Sequence, residues 1–476
     1  MKEKVLFRLK EVIEMYGTNP EKIIENISKG KEKICVVGLG YVGIPLAVAF
    51  ASKNVKVIGY EINTKVVDMI NRGISPIYEP GLNDALKRCV ENGAFVASND
   101  EEVIASSRFI IITVGTPIDE FYTPKMDYVK SACEKIGRNM NKNSIIVLKS
   151  TVPPLTTENI VIPLLEKYSN MKCGKDFGVA FCPERTVEGR AMEEFFTLPK
   201  VVGGIDKHTT DVVAGIFSIL NEKVIKVSSP RVAEMVKLMD NTYRDVNIAL
   251  ANQFANVCYA LGIDVIEAIN AANKDYSRNN ILKPGAGVGG SCLPKDPFIL
   301  ASTAEKYGEE LSLVKIARLI NSSMPNRIMM LIHKVISEKK IENPKITILG
   351  LAFKSDTNDI RNTPAKIVIE NLRNEGFEIV CFDPFVKPED VSKNLGEIDF
   401  RKDMYEACEK SDCIVIMTDH KLFYDIDLLK LKKIMRNRCI VDGRHVIDPH
   451  KAIKNGFIYE GIGRPSKYFK LIEGRE

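Results

Sequence analysis

The chain has 476 residues, 45% of them hydrophobic and 27% charged, a globular balance that excludes a wholly disordered chain, a collagen-like repeat and a disulfide-stapled miniprotein. Lys and Arg outnumber Asp and Glu by only 67 to 62, and without a long basic block this points away from a nucleic-acid partner. Eleven irregularly spaced Cys read as reduced thiols of a cytoplasmic protein, and five scattered His with no CxxC or HxxxH cluster predict no metal. No uncharged apolar run approaches the ~20 residues that span a bilayer. The opening MKEKVLFRLKEVIEMYG is too charged for a signal peptide, so no membrane association is expected.

Val5, Leu6, Leu9, Val12 and Ile13 recur at helical spacing until Thr18-Asn19-Pro20 breaks the pattern, and Ile23, Ile24 and Ile27 mark a second short helix ending at Gly30. Residues 1–32 are therefore expected to be a helical extension. From Lys33 the pattern changes to short β-branched runs at Ile34–Val37, Val55–Tyr60, Phe109–Val114, Ile145–Lys149 and Val179–Cys182. Each is followed by a helix-like stretch, the signature of parallel strands buried on both faces of a doubly wound sheet. Ser229-Pro230 opens a helical pattern of over 30 residues, ending at Gly262. At 1.5 Å per residue it spans about 45 Å, enough to join two domains and contribute to a subunit interface. A second α/β segment begins near Asn343, with strands at Lys345–Leu349, Glu378–Phe382, Cys413–Met417 and Arg438–Val441. The expected fold is α/β, with Rossmann-like doubly wound domains at 33–228 and 336–476 joined by a central helical domain at 229–335.

Three segments carry chemistry. Gly38-Leu39-Gly40-Tyr41-Val42-Gly43 is a GxGxxG between a strand and a helix, where Gly38 allows the tight turn, Gly40 lets the backbone approach a pyrophosphate and Gly43 lets helix and sheet pack closely. Glu61, 21 residues after Gly40, would accept hydrogen bonds from ribose hydroxyls and disfavour a 2′-phosphate, so NAD is the expected cofactor. Val114-Gly115-Thr116-Pro117 and Lys149-Ser150-Thr151-Val152-Pro153 end strands where the cofactor crevice would lie. The Gly-rich loop Pro284-Gly285-Ala286-Gly287-Val288-Gly289-Gly290-Ser291 leads straight into Cys292, a candidate nucleophile with Lys295 as the cation that would favour its thiolate. Pro294 predicts a helix start with Asp296 in the first turn, pointing back toward the thiol. On the long helix Lys237 and Asn241 share a face, with Arg244 beside them.

In order along the chain, GLGYVG, VGTP, KSTVP, CPERTVEG, EMVKLMDNTYRDVNIA, PGAGVGGSCLPKD, GLAFKSDTNDIR and VDGRHV resemble the motifs of the UDP-glucose/GDP-mannose dehydrogenase family from about residue 33 to 465. The resemblance implies a four-electron oxidation of a UDP-sugar C6 hydroxyl to a carboxylate, with two NAD reduced and Cys292 carrying a thiohemiacetal and then a thioester. It further implies that Lys237 and Asn241 stabilise the oxyanion, that Asp296, Glu184 and Thr151 position water and handle protons, and that Glu188 supports them. Lys295 and Arg361 would join Tyr41, Val42 and Thr116 at the cofactor; Gly289, Phe353, Lys354 and Arg444 would meet the UDP-sugar. Pro183-Glu184-Arg185-Thr186, where the glucose enzymes carry Pro-Glu-Phe-Leu, resembles, together with Arg278, the branch acting on N-acetylated hexosamines, particularly UDP-N-acetylmannosamine. Arg185 would then serve an amide carbonyl or a phosphate. Gly-Gly-Ser-Cys and Glu188-Gly189 stand closer to the glucose branch, which leaves UDP-glucose, UDP-N-acetylglucosamine and a non-catalytic nucleotide-sugar-binding protein as alternatives. A homodimer or larger oligomer through the central helices, in polysaccharide biosynthesis, is expected.

Overall fold

The computed structural model describes residues 19–119 and 123–473; the first helix expected within 1–32 lies outside them, whereas the second is present as Pro20–Ser28, capped by Asn19. The chain forms two compact units, one running to Asp240 and including Ser302–Tyr307, the other comprising Asn241–Ala301 and the chain from Gly308 onward. The division falls inside a single 32-residue helix, Pro230–Leu261.

The first unit is built on an eight-stranded sheet: β1 (Lys33–Val37), β2 (Lys56–Tyr60), β3 (Phe95–Ser98), β4 (Phe109–Ile112), β5 (Ile145–Leu148), β6 (Gly178–Phe181), β7 (Lys200–Gly204) and β8 (Val224–Lys226). Their order is 3-2-1-4-5-6-7-8, parallel except where β6 meets β7. Alternate residues of the central strands feed two cores: Val36, Ile111 and Val147 on one face, Cys35, Ile110 and Ile146 on the other. That double burial is why these strands read as unbroken apolar runs. The β4 ladder ends at Ile112, two residues before the expected Val114, as the chain leaves the sheet for its Gly115-Thr116-Pro117 turn. The sequence order reverses between β1 and β4, and in open α/β sheets ligands bind at such a switch point, beyond the strands' carboxyl ends.

The second unit repeats the plan with β9 (Lys345–Leu349), β10 (Glu378–Phe382), β11 (Asp399–Arg401), β12 (Cys413–Ile416), β13 (Cys439–Asp442) and β14 (Ile458–Gly461). Their order, 11-10-9-12-13-14, is wholly parallel, with the switch point between β9 and β12. The unit also holds the helices Val265–Asn273 and Ser312–Lys339, so two parallel-sheet domains flank a central helical stretch of the chain.

Candidate active site

At the first switch point the loop after β1 has the shape its glycines predict. Gly38 adopts φ +93°, a region costly for any side chain with a Cβ. A Cβ on Gly43 would lie 1.9 Å from the Gly38 carbonyl oxygen, whereas one on Gly40 would meet nothing within 4 Å. The loop is thus closed on its sheet side and open at Gly40, and the helix Gly43–Ala51 starts directly behind it, as a pyrophosphate cradle requires. Glu61, at the end of β2, accepts the Leu39 amide at 2.8 Å and the Asn63 amide at 3.0 Å, which puts its carboxylate on that loop. Tyr41 is exposed and Val42 half-buried. The two strand-end turns are stitched together, Thr116 Oγ1 donating to the Thr151 carbonyl and Ser150 Oγ to the Val114 carbonyl, both at 2.6 Å.

Glu184, beyond the end of β6, is buried. Its Oε1 accepts the amides of Arg185 and Thr186 at 2.8 Å, and its Oε2 lies 3.2 Å from Nζ of Lys149. Burial alone would raise its pKa, but the ammonium groups of Lys149 and Lys200 and the Thr186 amide outweigh it and hold the carboxyl at about 2. Glu184 is therefore a fixed anion rather than a group that takes up and releases protons near neutral pH. The Arg185 guanidinium is engaged within the protein, Nε donating to Asp240 Oδ2 at 2.9 Å and Nη1 to the Pro199 carbonyl at 3.4 Å. Lys237 is buried on the long helix. One turn earlier, Glu234 is fully buried and accepts from the amides of Leu155 and Thr157 and from Thr157 Oγ1. It thereby pins the turn after KSTVP, where Leu155 sits at φ +73° and a π-helical turn covers Thr157–Val161.

In the second unit Cys292 is the exposed thiol, every other Cys being buried or half-buried. Its Sγ lies 3.5 Å from Ser291 Oγ, and the helix Asp296–Glu305 begins four residues on. Asp296 is fully buried; its carboxylate takes Asn241 Nδ2 at 2.6 Å on Oδ2 and Lys295 Nζ at 2.6 Å on Oδ1. These contacts, rather than one with the thiol, fix its direction, and Lys295 spends its charge on Asp296. Behind the thiol loop runs a buried relay that sequence reasoning missed. Arg318 pairs with Asp245, Asn321 Nδ2 donates to Asp245 Oδ1 at 2.8 Å, Asn252 Nδ2 donates to Asn321 Oδ1 at 2.9 Å, and Asn252 Oδ1 accepts the Gly285 amide at 2.9 Å. Asn and Asp on a helix read as polar surface; spacing alone does not reveal that these face the interior.

The glycine loop packs against the switch-point loop after β9. A Cβ at Gly289 or Gly290 would lie 2.7 Å or less from Phe353 side-chain atoms. The Gly290 amide donates to the Arg361 carbonyl at 3.0 Å, and the Arg361 guanidinium pairs with Asp359. Half-buried Lys354 follows Phe353, and this loop is anchored by Asp383, which accepts the amides of Leu351 and Ala352 and lies 3.1 Å from His420 Nε2. Arg444, after β13, donates to the carbonyls of Met417 at 2.9 Å and Gly287 at 3.1 Å. Phe353, Lys354, Arg444 and Gly289 thus gather at the carboxyl edge of one sheet. Two expectations fare differently: Arg244 is exposed whereas Lys237 and Asn241 are buried, and Arg278 is exposed beside Tyr276, 5.9 Å from its ring centroid. Among the described residues no cluster of His, Cys, Asp and Glu could hold a metal ion, and no helix is long and apolar enough to cross a membrane.

Models of the UDP-glucose/GDP-mannose dehydrogenase family match three successive stretches: its NAD binding domain at residues 32–221, its central domain at 231–323 and its UDP binding domain at 347–449. A UDP-N-acetyl-D-mannosamine dehydrogenase of Pyrococcus horikoshii is 37% identical over 434 residues, 91% of this chain and 99% of the relative. The solved structure of the UDP-D-ManNAc dehydrogenase from Pyrococcus horikoshii has a TM-score of 0.83 at 36% identity, covering 91% of this chain and 100% of that one. A UDP-glucose dehydrogenase of Pyrobaculum islandicum has a TM-score of 0.81 at 29% identity, covering 91% and 98%. Matches that run through all three domains at this identity leave one assignment: the chain belongs to the UDP-glucose/GDP-mannose dehydrogenase family of NAD-dependent nucleotide-sugar oxidoreductases.

Proposed function

We propose that the protein oxidises UDP-N-acetyl-D-mannosamine at C6 to the uronate, using two NAD per sugar. The observation that carries the chemistry is the exposed Cys292 at the end of its glycine loop, four residues before a buried Asp296 that holds Asn241. The choice of sugar rests on the Pyrococcus relative and on the Arg185-Thr186 pair after Glu184. NAD supplies the electron acceptor for each oxidation. The residues that fit it are Gly38, Gly40, Tyr41, Val42 and Gly43 at the pyrophosphate, Glu61 at the ribose and Thr116 and Thr151 at the strand ends, with Lys295 assigned to a closing loop and Arg361 to the cofactor's neighbourhood.

Cys292 Sγ adds to the aldehyde carbon that the first oxidation leaves, converting the planar carbonyl into a tetrahedral carbon that bears a hydrogen and a hydroxyl oxygen, so that the hydrogen can leave with its electron pair as a C=O bond re-forms. Lys237 and Asn241 stabilise the oxyanion of that adduct, the first by charge and the second by a hydrogen bond. The Asp296 contact fixes the amide plane of Asn241, so its orientation is set before substrate arrives. The second oxidation leaves a thioester on Cys292. Water adds to the thioester carbonyl and the C–S bond breaks. The uronate leaves, the sulfur keeps one proton and one is released, with Thr151 and Glu184 orienting the water. Phe353, Lys354, Gly289 and Arg444 are assigned to UDP, and Arg185, Thr186, Arg244 and Arg278 to the sugar and its phosphates.

The reading extends to a division at 1–32, 33–228, 229–335 and 336–476, to a cytoplasmic place in polysaccharide precursor synthesis, and to a homodimer through the central helices. Supporting the dimer, Met239, Tyr243, Leu250, Phe254, Val257 and Leu261 of the long helix are exposed at near-heptad spacing, broken by Asn247, the kind of apolar seam by which helices pair. A panel of UDP-sugars assayed for NAD reduction tests the sugar. UDP-N-acetylmannosamine should give the highest kcat/KM; preference for UDP-glucose or UDP-N-acetylglucosamine would overturn the assignment.

A further inference from the structure

The single antiparallel pairing of the first sheet has a consequence at Glu184. Its register sets Ala180 opposite Gly204 and Phe181 opposite Gly203. The ladder stops at that pair, but the antiparallel direction puts Lys200, the first residue of β7, at the same end of the sheet as Glu184. Its Nζ donates to the Glu194 carbonyl at 3.4 Å and lies 5.1 Å from the Phe195 ring centroid, and its charge acts on the Glu184 carboxylate at longer range. A parallel β7 would have placed that lysine at the other edge of the sheet. From the opposite side, Lys149 follows β5, which pairs in parallel with β6. Its side chain is fully buried; beside the Glu184 carboxylate, its Nζ reaches the Cys182 carbonyl at 3.4 Å and the Pro183 carbonyl at 3.3 Å. The ends of adjacent strands thus give the carboxylate one lysine in an ion pair and the longer-range charge of a second.

We propose that Lys149, paired with Glu184 and aided by the longer-range charge of Lys200, is a positioning residue that locks Glu184 as an anion, so that it orients the water attacking the thioester purely as a hydrogen-bond acceptor and never stores that water's proton. This rests on the dehydrogenase reading above. The groups around Glu184 are the Lys149 ammonium, the more distant Lys200 ammonium, the Cys182 thiol, the Arg185 and Thr186 amides and the Thr186 hydroxyl; burial pushes Lys200 down to about 8, so at neutral pH both lysines are charged. A buried carboxylate stripped of its cation prefers its proton, and breaking one half of a buried pair costs more than removing both halves.

The test is a cycle of Lys149→Met, Lys149→Arg, Glu184→Gln and Lys149→Met/Glu184→Gln, read by melting temperature and by kcat between pH 5 and 8. The depressed Glu184 pKa means that its stabilisation is complete above about 4.5 and lost only as pH falls toward about 2. Wild type should therefore show no acid limb from this group over the assayed range. In Lys149→Met the pKa should rise above 4.5, so kcat falls about tenfold per pH unit below the new value, with KM little changed and with thioester on Cys292 building up in intact mass spectra at low pH. Lys149→Arg should restore the flat profile, and the double variant should regain the melting temperature that Lys149→Met loses, without regaining kcat. A folded Lys149→Met enzyme with the wild-type pH profile, or a double variant no more stable than Lys149→Met, overturns the proposal. Melting requires no turnover, so the stability cycle reports on the lock even if the dehydrogenase reading fails for want of acid product.

Discussion

A methyl group added at Gly40 separates what the loop does for the fold from what it does for a ligand. The new Cβ would meet no protein atom within 4 Å, so Gly40→Ala should melt as wild type does. If a pyrophosphate lies against that backbone, the methyl must push it outward by about 1 Å, a displacement able to cost about 10²-fold in a positioned complex. NAD should then bind about 100-fold more weakly, close to 2.7 kcal/mol. Gly43→Ala is the contrasting case: its Cβ would sit 1.9 Å from the Gly38 oxygen and 2.8 Å from Thr113 Oγ1, so loop and helix must separate before any ligand arrives. That variant should lose both melting temperature and NAD affinity. Calorimetric titration with NAD, with UDP as the control ligand, reads both effects; UDP affinity should hold in each variant. Wild-type NAD affinity in Gly40→Ala would refute the placement of the pyrophosphate.

Glu61→Gln keeps an oxygen for the Leu39 or Asn63 amide but removes the charge facing a 2′-phosphate. The ratio of kcat/KM for NAD over NADP should fall by about tenfold, ~1.4 kcal/mol; an unchanged ratio would remove its ribose role. Asn252→Leu leaves the Gly285 amide and Asn321 Oδ1 buried without partners, at about 1–3 kcal/mol for each. Thermal melting should show the loss, and kcat should fall as the Cys292 loop loosens while NAD affinity stays. Wild-type melting would show that the relay is not closed in solution.

Much of this architecture was legible before any coordinates because both sheets are buried on both faces, which forces apolar runs such as Ile110-Ile111-Ile112. Five strands escape that reading: β3, β7, β8, β11 and the edge strand β14, whose Ile-Tyr-Glu-Gly carries a charge in its buried run, and three of them are under weaker constraint. β3 exposes Val96, β8 is largely exposed, and β11 is three residues at an edge, so none needs an unbroken apolar run. β7 is fully buried, yet its Lys-Val-Val-Gly-Gly reads as a turn. The same limit hid the charge it carries: a lysine opening a strand looks like solvated punctuation, and only the fold shows that Lys200 is buried and acts on Glu184. Glycine loops were readable because their constraint is local. Cys292 was readable because a thiol after four glycines has no packing role, and it is exposed where Cys35, Cys133 and Cys381 are buried. Arg185 illustrates the converse: its place in the motif was plain, but its pairing with Asp240, 55 residues away, depends on the fold.

The most direct measurement counts NADH formed per UDP-N-acetylmannosamine consumed, with the product identified by mass, in the wild type and in Cys292→Ala. Two NADH and a uronate from the wild type, with no uronate from the variant, is the predicted result. One NADH with an aldehyde from the wild type, or uronate formed at the wild-type rate without the thiol, would contradict it.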